Sequence, residues 1–151
     1  MRQKVIAVIG AGEADEETLR IAEDAGRLIA KRNFILVCGG LGGVMEAAAR
    51  GAQSAGGTTV GILPQNHKDN ANPYIQIPIV SGFGEGRNVL IVRTADALIA
   101  VGGEYGTLSE IALGLKIGKP VIGINTWDIK GVIKADSAED AVDKVFDTLK
   151  R

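Results

Sequence analysis

Scarcity narrows the chemistry of this chain first. A single cysteine, Cys38, leaves no internal disulfide, and one histidine, His67, adds too little for a protein-built transition-metal cage. One tryptophan, two tyrosines and three phenylalanines leave the core to Val, Ile, Leu and Ala. They also make base-stacking platforms of the RRM or OB type an unpromising reading. Seventeen basic against eighteen acidic residues give a net charge of −1, without the basic excess that a nucleic-acid partner demands. No apolar run approaches the roughly 18 residues of a membrane span. The apolar run at 5–9 behind Lys4 is too short for a signal peptide and is followed at once by acidic residues. The expectation is a cytoplasmic protein of one domain, residues 1–151, with no protein-held metal, no membrane contact and no nucleic acid.

Glycine, by contrast, is abundant: 21 residues of 151, against a usual share of roughly 7%. Much of it follows apolar runs. Residues 5–9 (VIAVI), 34–38 (FILVC), 58–63, 97–101 (ALIAV) and 121–124 read as strands, the continuous runs as strands buried on both faces. Residues 75–80 read as an edge strand, because Pro78 cannot donate to a central ladder. Helices are expected at 15–31, 44–55, 87–94 and 107–117. A last one follows Ser137, where Ser137 and Asp140 form a capping-box signature. Residues 65–74 and 125–131 read as loops. Strands alternating with helices at this pitch predict a doubly wound, mostly parallel α/β sheet of Rossmann type, with helices on both faces.

An internal repeat singles out two of the loops. Residues 34–51 (FILVCGGLGGVMEAAARG) align without a gap on residues 97–114 (ALIAVGGEYGTLSEIALG). Gly39 meets Gly102, Gly40 meets Gly103 and Gly43 meets Gly106. Each unit is a strand, a GG-x-x-G turn and a helix. Such a turn lets the backbone come close to a ligand and aims the unpaired N–H groups and positive dipole end of the helix at it. Two of these at the carboxyl edge of one sheet would converge on an anion, most naturally phosphate. The competing reading is that glycine merely satisfies tight turns.

Arg87, followed by Asp96 to Val101 and then by Gly102-Gly103-Glu104-Tyr105-Gly106-Thr107-Leu108-Ser109-Glu110, resembles the signature of the LONELY GUY (LOG) superfamily. That superfamily carries an arginine before a helix and then a Pro-Gly-Gly-x-Gly-Thr-x-x-Glu motif. Residues 39–45 resemble its earlier glycine-rich segment, and residues 57–64 its strand ending in Ile-Pro. The resemblance covers nearly the whole chain. It implies a cytosolic homodimer, or higher homo-oligomer, that hydrolyses nucleoside 5′-monophosphates to free base and ribose 5-phosphate. Members also carry a lysine-decarboxylase label, but no pyridoxal-phosphate lysine is identifiable here. The short Gly-Gly-Glu-x-Gly-Thr form is more similar to a branch related to molybdenum cofactor carrier proteins, which bind a phosphorylated pterin without turning it over. The departures are Gly102 for the motif's proline, Glu104 for its second glycine, and Asn88 where a lysine usually follows the arginine.

Under the hydrolase reading Arg87 and Glu110 are the catalytic candidates, with Glu110 contacting ribose and activating water. Thr107 to Glu110 also spells a T-x-x-E capping box, so a purely structural Glu110 competes with that role. Arg87 stands at a helix start, against the dipole, which suits an anion or a pairing with Glu110 or Glu85. Thr107, with the amides of Gly106 and Leu108, is expected to form a phosphate donor set, against the competing reading of Thr107 as a plain N-cap, and Gly39, Gly40, Gly42, Gly43, Gly102 and Gly103 are expected to supply further amides. Glu104 either reads a hydroxyl or amino-bearing ring or faces water. Packing is the expectation for Cys38 and Met45, and solvent for His67. For Trp127 both a pocket lid and an interface filler stand open. The leading expectation is a binder or carrier of a phosphorylated nucleotide-like or pterin-type ligand, such as the molybdenum cofactor or a nucleotide. The alternative is a phosphoribohydrolase.

Overall fold

The computed structural model describes residues 2–150. Seven strands form one sheet in the order β4-β3-β2-β1-β5-β6-β7, every neighbouring pair parallel. The strands are β1 (Val5–Gly10), β2 (Ile35–Cys38), β3 (Thr59–Leu63), β4 (Ile77–Val80), β5 (Ala97–Val101), β6 (Val121–Ile124) and β7 (Ile133–Lys134). The helices are α1 (Glu16–Lys31), α2 (Val44–Ser54), α3 (Arg87–Thr94), α4 (Tyr105–Lys116) and α5 (Ala138–Leu149). The doubly wound α/β expectation therefore holds, with a wholly parallel sheet among the described residues. No helix of those residues is long and apolar enough to cross a membrane.

Strand alternation sorts the core into two layers. Ile6 and Val8 of β1 pack with Ile29 of α1, Ala48 of α2 and Val142 of α5 on one face. Ala7 and Ile9 point the other way, to Ile91 of α3 and Ile111 of α4. From β1 the chain winds outward through β2 and β3. It then returns past β4 to lay β5 on the opposite flank of β1. The strand order thus reverses between β1 and β5, and the carboxyl ends of these two strands open on a crevice.

Local signals explain the element ends. Asp15 caps α1, accepting from the Thr18 N–H at 2.8 Å, and its carboxyl is held below the usual range by that bond. Ser137 caps α5 through the Asp140 N–H at 3.0 Å. The return bond of Asp140 goes to the Asp136 N–H at 3.0 Å instead of to Ser137. One strand goes unread in the sequence and one expectation is corrected. The short edge strand β7 escapes a pattern reading because both its residues are exposed and one is Lys134. Helix α4 begins at Tyr105 with Glu104 as its N-cap residue, not at Thr107, so the T-x-x-E segment lies inside the helix and is no capping box.

Helices α1 and α2 touch backbone to backbone. A Cβ added at Gly51 would lie 1.9 Å from the Glu23 carbonyl oxygen, and one at Gly26 would lie 1.9 Å from that of Ala48. No rotamer relieves a clash with a carbonyl. Gly51→Ala is expected to cost about 1–3 kcal/mol, the usual range for overpacking. At Gly12 an added Cβ meets nothing within 4 Å. Urea denaturation should therefore leave Gly12→Ala within about 0.5 kcal/mol of the parent. Equal midpoints for the two variants would contradict the packing described.

Candidate functional site

The crevice between β1 and β5 holds a cavity of about 660 Å³, within the range of small-molecule and cofactor sites. Its walls come from the turn after β1 (Gly10, Ala11 and Gly12), from Glu85 and Arg87 at the start of α3, and from the first turns of α4. Helix α4 presents its N-terminus to this space. Its first internal bond runs from the Leu108 N–H to the Glu104 carbonyl at 3.0 Å, and no side chain caps the helix. The N–H groups of Tyr105, Gly106 and Thr107 are thus left without intrahelical partners. Gly103 makes this entry possible: at φ 113° its backbone folds over Thr107, whose side chain a Cβ would meet at 2.5 Å.

The first glycine-rich unit is built differently. Gly43, at φ 63°, sits so close to the β1 turn that a Cβ would lie 2.3 Å from the Ala11 carbonyl oxygen. That same carbonyl accepts the Val44 N–H at 3.0 Å, so the first amide of α2 is satisfied by the protein's own backbone. The two repeats flank β1 at one sheet edge, but they do not face the cavity on equal terms. Of the sequence-selected residues, Gly39, Arg87, Glu104, Gly106, Thr107 and Glu110 line it. Gly40, Gly42, Gly43, Gly102 and Gly103 are not among its lining residues. Gly40 supports the loop at 65–74 by accepting the Asn72 N–H at 2.8 Å, and Gly102 accepts from Thr126 Oγ1 at 2.5 Å. The turn at Gly10–Gly12 was missed as a site element. Its signal was present: a Gly-Ala-Gly directly after the first strand, at the place where a doubly wound sheet opens.

Arg87 reaches back from α3 across the carboxyl ends of two strands. Its Nε donates to the Ile62 carbonyl at 2.8 Å, one Nη to the Gly39 carbonyl at 3.3 Å, and the other to the Asn88 side-chain oxygen. Gly39 is small because the guanidinium occupies that space: a Cβ would stand 2.5 Å from it. Met45 also joins the site, its sulfur 4.0 Å from the same guanidinium, rather than serving only as packing. Arg87 makes no ion pair among the described residues. The carbonyl dipoles thus answer the unfavourable position at a helix start, while burial lowers the side chain's affinity for its proton.

Glu110 lines the same cavity, is 7% exposed, and its carboxyl has no hydrogen-bond partner among the described residues. Burial raises its carboxyl from 4.5 to about 7, against the pull of the Arg87 cation. Cys38 behaves as packing: burial raises its thiol to about 11, and Sγ donates to the Met45 carbonyl at 3.7 Å. His67 precedes the short turn Lys68–Asn70, away from the cavity lining. Trp127 stacks on Tyr105 and donates its indole N–H to the Glu104 carbonyl at 3.2 Å.

Compared with known proteins, residues 3–149 match the SLOG cluster4 family. The chain belongs to that family. The molybdenum cofactor binding protein of Rippkaea orientalis superposes on it with a TM-score of 0.94 at 38% identity, covering 99% of both chains. The molybdenum cofactor carrier protein of Chlamydomonas reinhardtii gives 0.89 at 34% identity, covering 99% of this chain and 100% of its own. The cytokinin riboside 5′-monophosphate phosphoribohydrolase of Mycobacterium tuberculosis is 31% identical over 133 residues, 82% of this chain and 71% of that one.

Within this SLOG member the departures from the LOG motif have structural consequences. Gly102 adopts φ 59°, which proline cannot, since its ring locks φ near −65°. The loop here therefore cannot follow the path of a Pro-Gly-Gly turn. Asn88 accepts a bond from Arg87; a lysine there has no acceptor and would set a second cation beside the first.

Two outcomes are expected. Arg87→Lys keeps the charge but loses the forked donor geometry, and should lower unfolding free energy by about 2 kcal/mol in urea. Parent-like stability would show that the strand-end contacts carry no weight. For Glu110, a raised folded-state pKa gives a stabilising contribution that is complete below pH 4.5 and is lost as pH rises through about 7. Glu110→Gln should accordingly melt above the parent at pH 8.5, and the gap should close towards pH 4. A gap independent of pH would contradict the buried, proton-holding carboxyl.

Proposed function

We propose that this protein binds and carries a phosphorylated pterin of the molybdenum cofactor type without hydrolysing it. The observation that carries this reading is the division of labour around the cavity. Amides supply the anion site, the one cation among the described lining residues, Arg87, is engaged by protein carbonyls, and three carboxylates, Glu85, Glu104 and Glu110, complete the walls. A phosphate would rest on the α4 amides and dipole, beside the N-cap residue Glu104. The carboxylates then suit a ring rich in N–H donors, which a pterin is. End-to-end similarity to molybdenum cofactor binding and carrier proteins supports the same ligand class. Expected at the sequence level, a cytoplasmic location and a homo-oligomeric state belong to this proposal as well.

One observation favours hydrolysis instead. Glu110, buried in the cavity wall with its proton exchanging near pH 7, has the acid–base character that cleavage of an N-glycosidic bond requires. In that role Arg87 would have to turn its guanidinium towards the ligand and balance the negative charge of the phosphate or of the departing base, while the Glu110 carboxylate answers the oxocarbenium-like centre. The tie of Arg87 to Ile62, Gly39 and Asn88 counts against such mobility.

Both readings meet in one pair of assays. The purified protein is incubated with molybdenum cofactor released from a donor molybdoenzyme, desalted, and assayed for molybdenum and for oxidised pterin fluorescence. In parallel it is incubated with AMP and GMP, and ribose 5-phosphate is measured. Retained pterin in near-equal amount to the chain, with no ribose 5-phosphate above the blank, is expected. Release of ribose 5-phosphate that falls by roughly 10²–10⁴ in Glu110→Gln would replace the carrier with the hydrolase.

A further inference from the structure

The aromatic pair beside the cavity is used by neither reading so far. Tyr105, the first residue of α4, lines the cavity yet is 78% exposed, the largest exposure among the large hydrophobic side chains of the described residues. It is not loose. One face stacks on the only tryptophan, Trp127, with centroids 6.0 Å apart and planes inclined by 28°. Trp127 is itself fixed by its indole N–H, which donates to the Glu104 carbonyl at 3.2 Å. The stack therefore holds the tyrosine ring at the cavity mouth and leaves its other face open. Immediately before it stands Glu104, exposed and also in the cavity wall.

We infer that Tyr105, braced by Trp127, is the ring-binding wall of this site, and that the Glu104 carboxylate selects planar heterocycles carrying adjacent amino and ring N–H donors. A planar aromatic face rewards any flat π-system without regard to sequence or substituent. The carboxylate adds direction: its two oxygens match an amino group and a neighbouring ring N–H, the edge of a 2-amino-4-oxopyrimidine, as found in pterins and guanine. An adenine-type edge, with a ring nitrogen acceptor beside its amino group, sets a lone pair against that carboxylate. The inference rests on the carrier reading for the phosphate, but the ring wall is testable alone.

The single indole N–H makes the test direct. In a ¹⁵N-labelled sample its one cross-peak reports the stack, and neopterin, an unphosphorylated pterin, serves as probe. Neopterin should shift that peak saturably. Tyr105→Ala should weaken neopterin at least tenfold, and Tyr105→Phe should retain binding. Glu104→Gln should weaken neopterin, whereas ribose 5-phosphate, which has no ring to read and loses a like-charged neighbour, should bind at least as tightly as to the parent. An indole peak unmoved by neopterin, or Tyr105→Ala binding it as the parent does, overturns the inference. Failure of ribose 5-phosphate to bind, with neopterin binding intact, would instead overturn the phosphate site and leave the ring wall standing.

Discussion

At the carboxyl edge of the sheet the backbone departs from β1 on one face and from β5 on the other, and the gap between them constrains everything built around it. The right-handed crossovers of a parallel sheet force this divergence. Helix α4 begins at the gap with three amides free, and the Gly10–Gly12 turn passes close enough to form the facing wall. Arg87 then ties the ends of β2 and β3 to α3, so the walls are set by strand-end carbonyls rather than by a mobile clamp. A site assembled this way is largely pre-formed, which suits retention of a ligand more than a cycle of closure and release.

Its electrostatics have a consequence for selectivity. The chain is nearly neutral, but the cavity gathers three carboxylates around one guanidinium. A bare phosphate gains from the α4 dipole and is opposed by the acids. A ligand whose far end carries N–H donors gains from both. Glu110 sits between these extremes, since burial holds its proton to near neutrality and lets it donate as well as accept.

Much of the fold was legible because buried parallel strands are written as unbroken apolar runs, and β5 (Ala97–Val101) and β6 (Val121–Ile124) begin and end where such runs do. The edge strand β7 was not, because two exposed residues carry no period. At the site, Arg87, Glu110 and the Gly-Thr segment were read as candidates, and all line the cavity. The equivalence of the two glycine repeats was the misleading part. Sequence symmetry does not reveal that the Ala11 carbonyl occupies the first amide of α2, nor that strand order brings β1 rather than β2 opposite β5. Glu104 looked undecided because its partner in the site, the Tyr105–Trp127 stack, joins residues 22 positions apart.

Titration of ¹⁵N-labelled protein with inorganic phosphate tests the central claim most directly, since it asks only where an anion settles. The account predicts saturable shifts greatest at the amides of Tyr105, Gly106 and Thr107, with smaller ones along Gly10–Gly12. Shifts greatest at the start of α2, or no site-specific shifts at all, would contradict it.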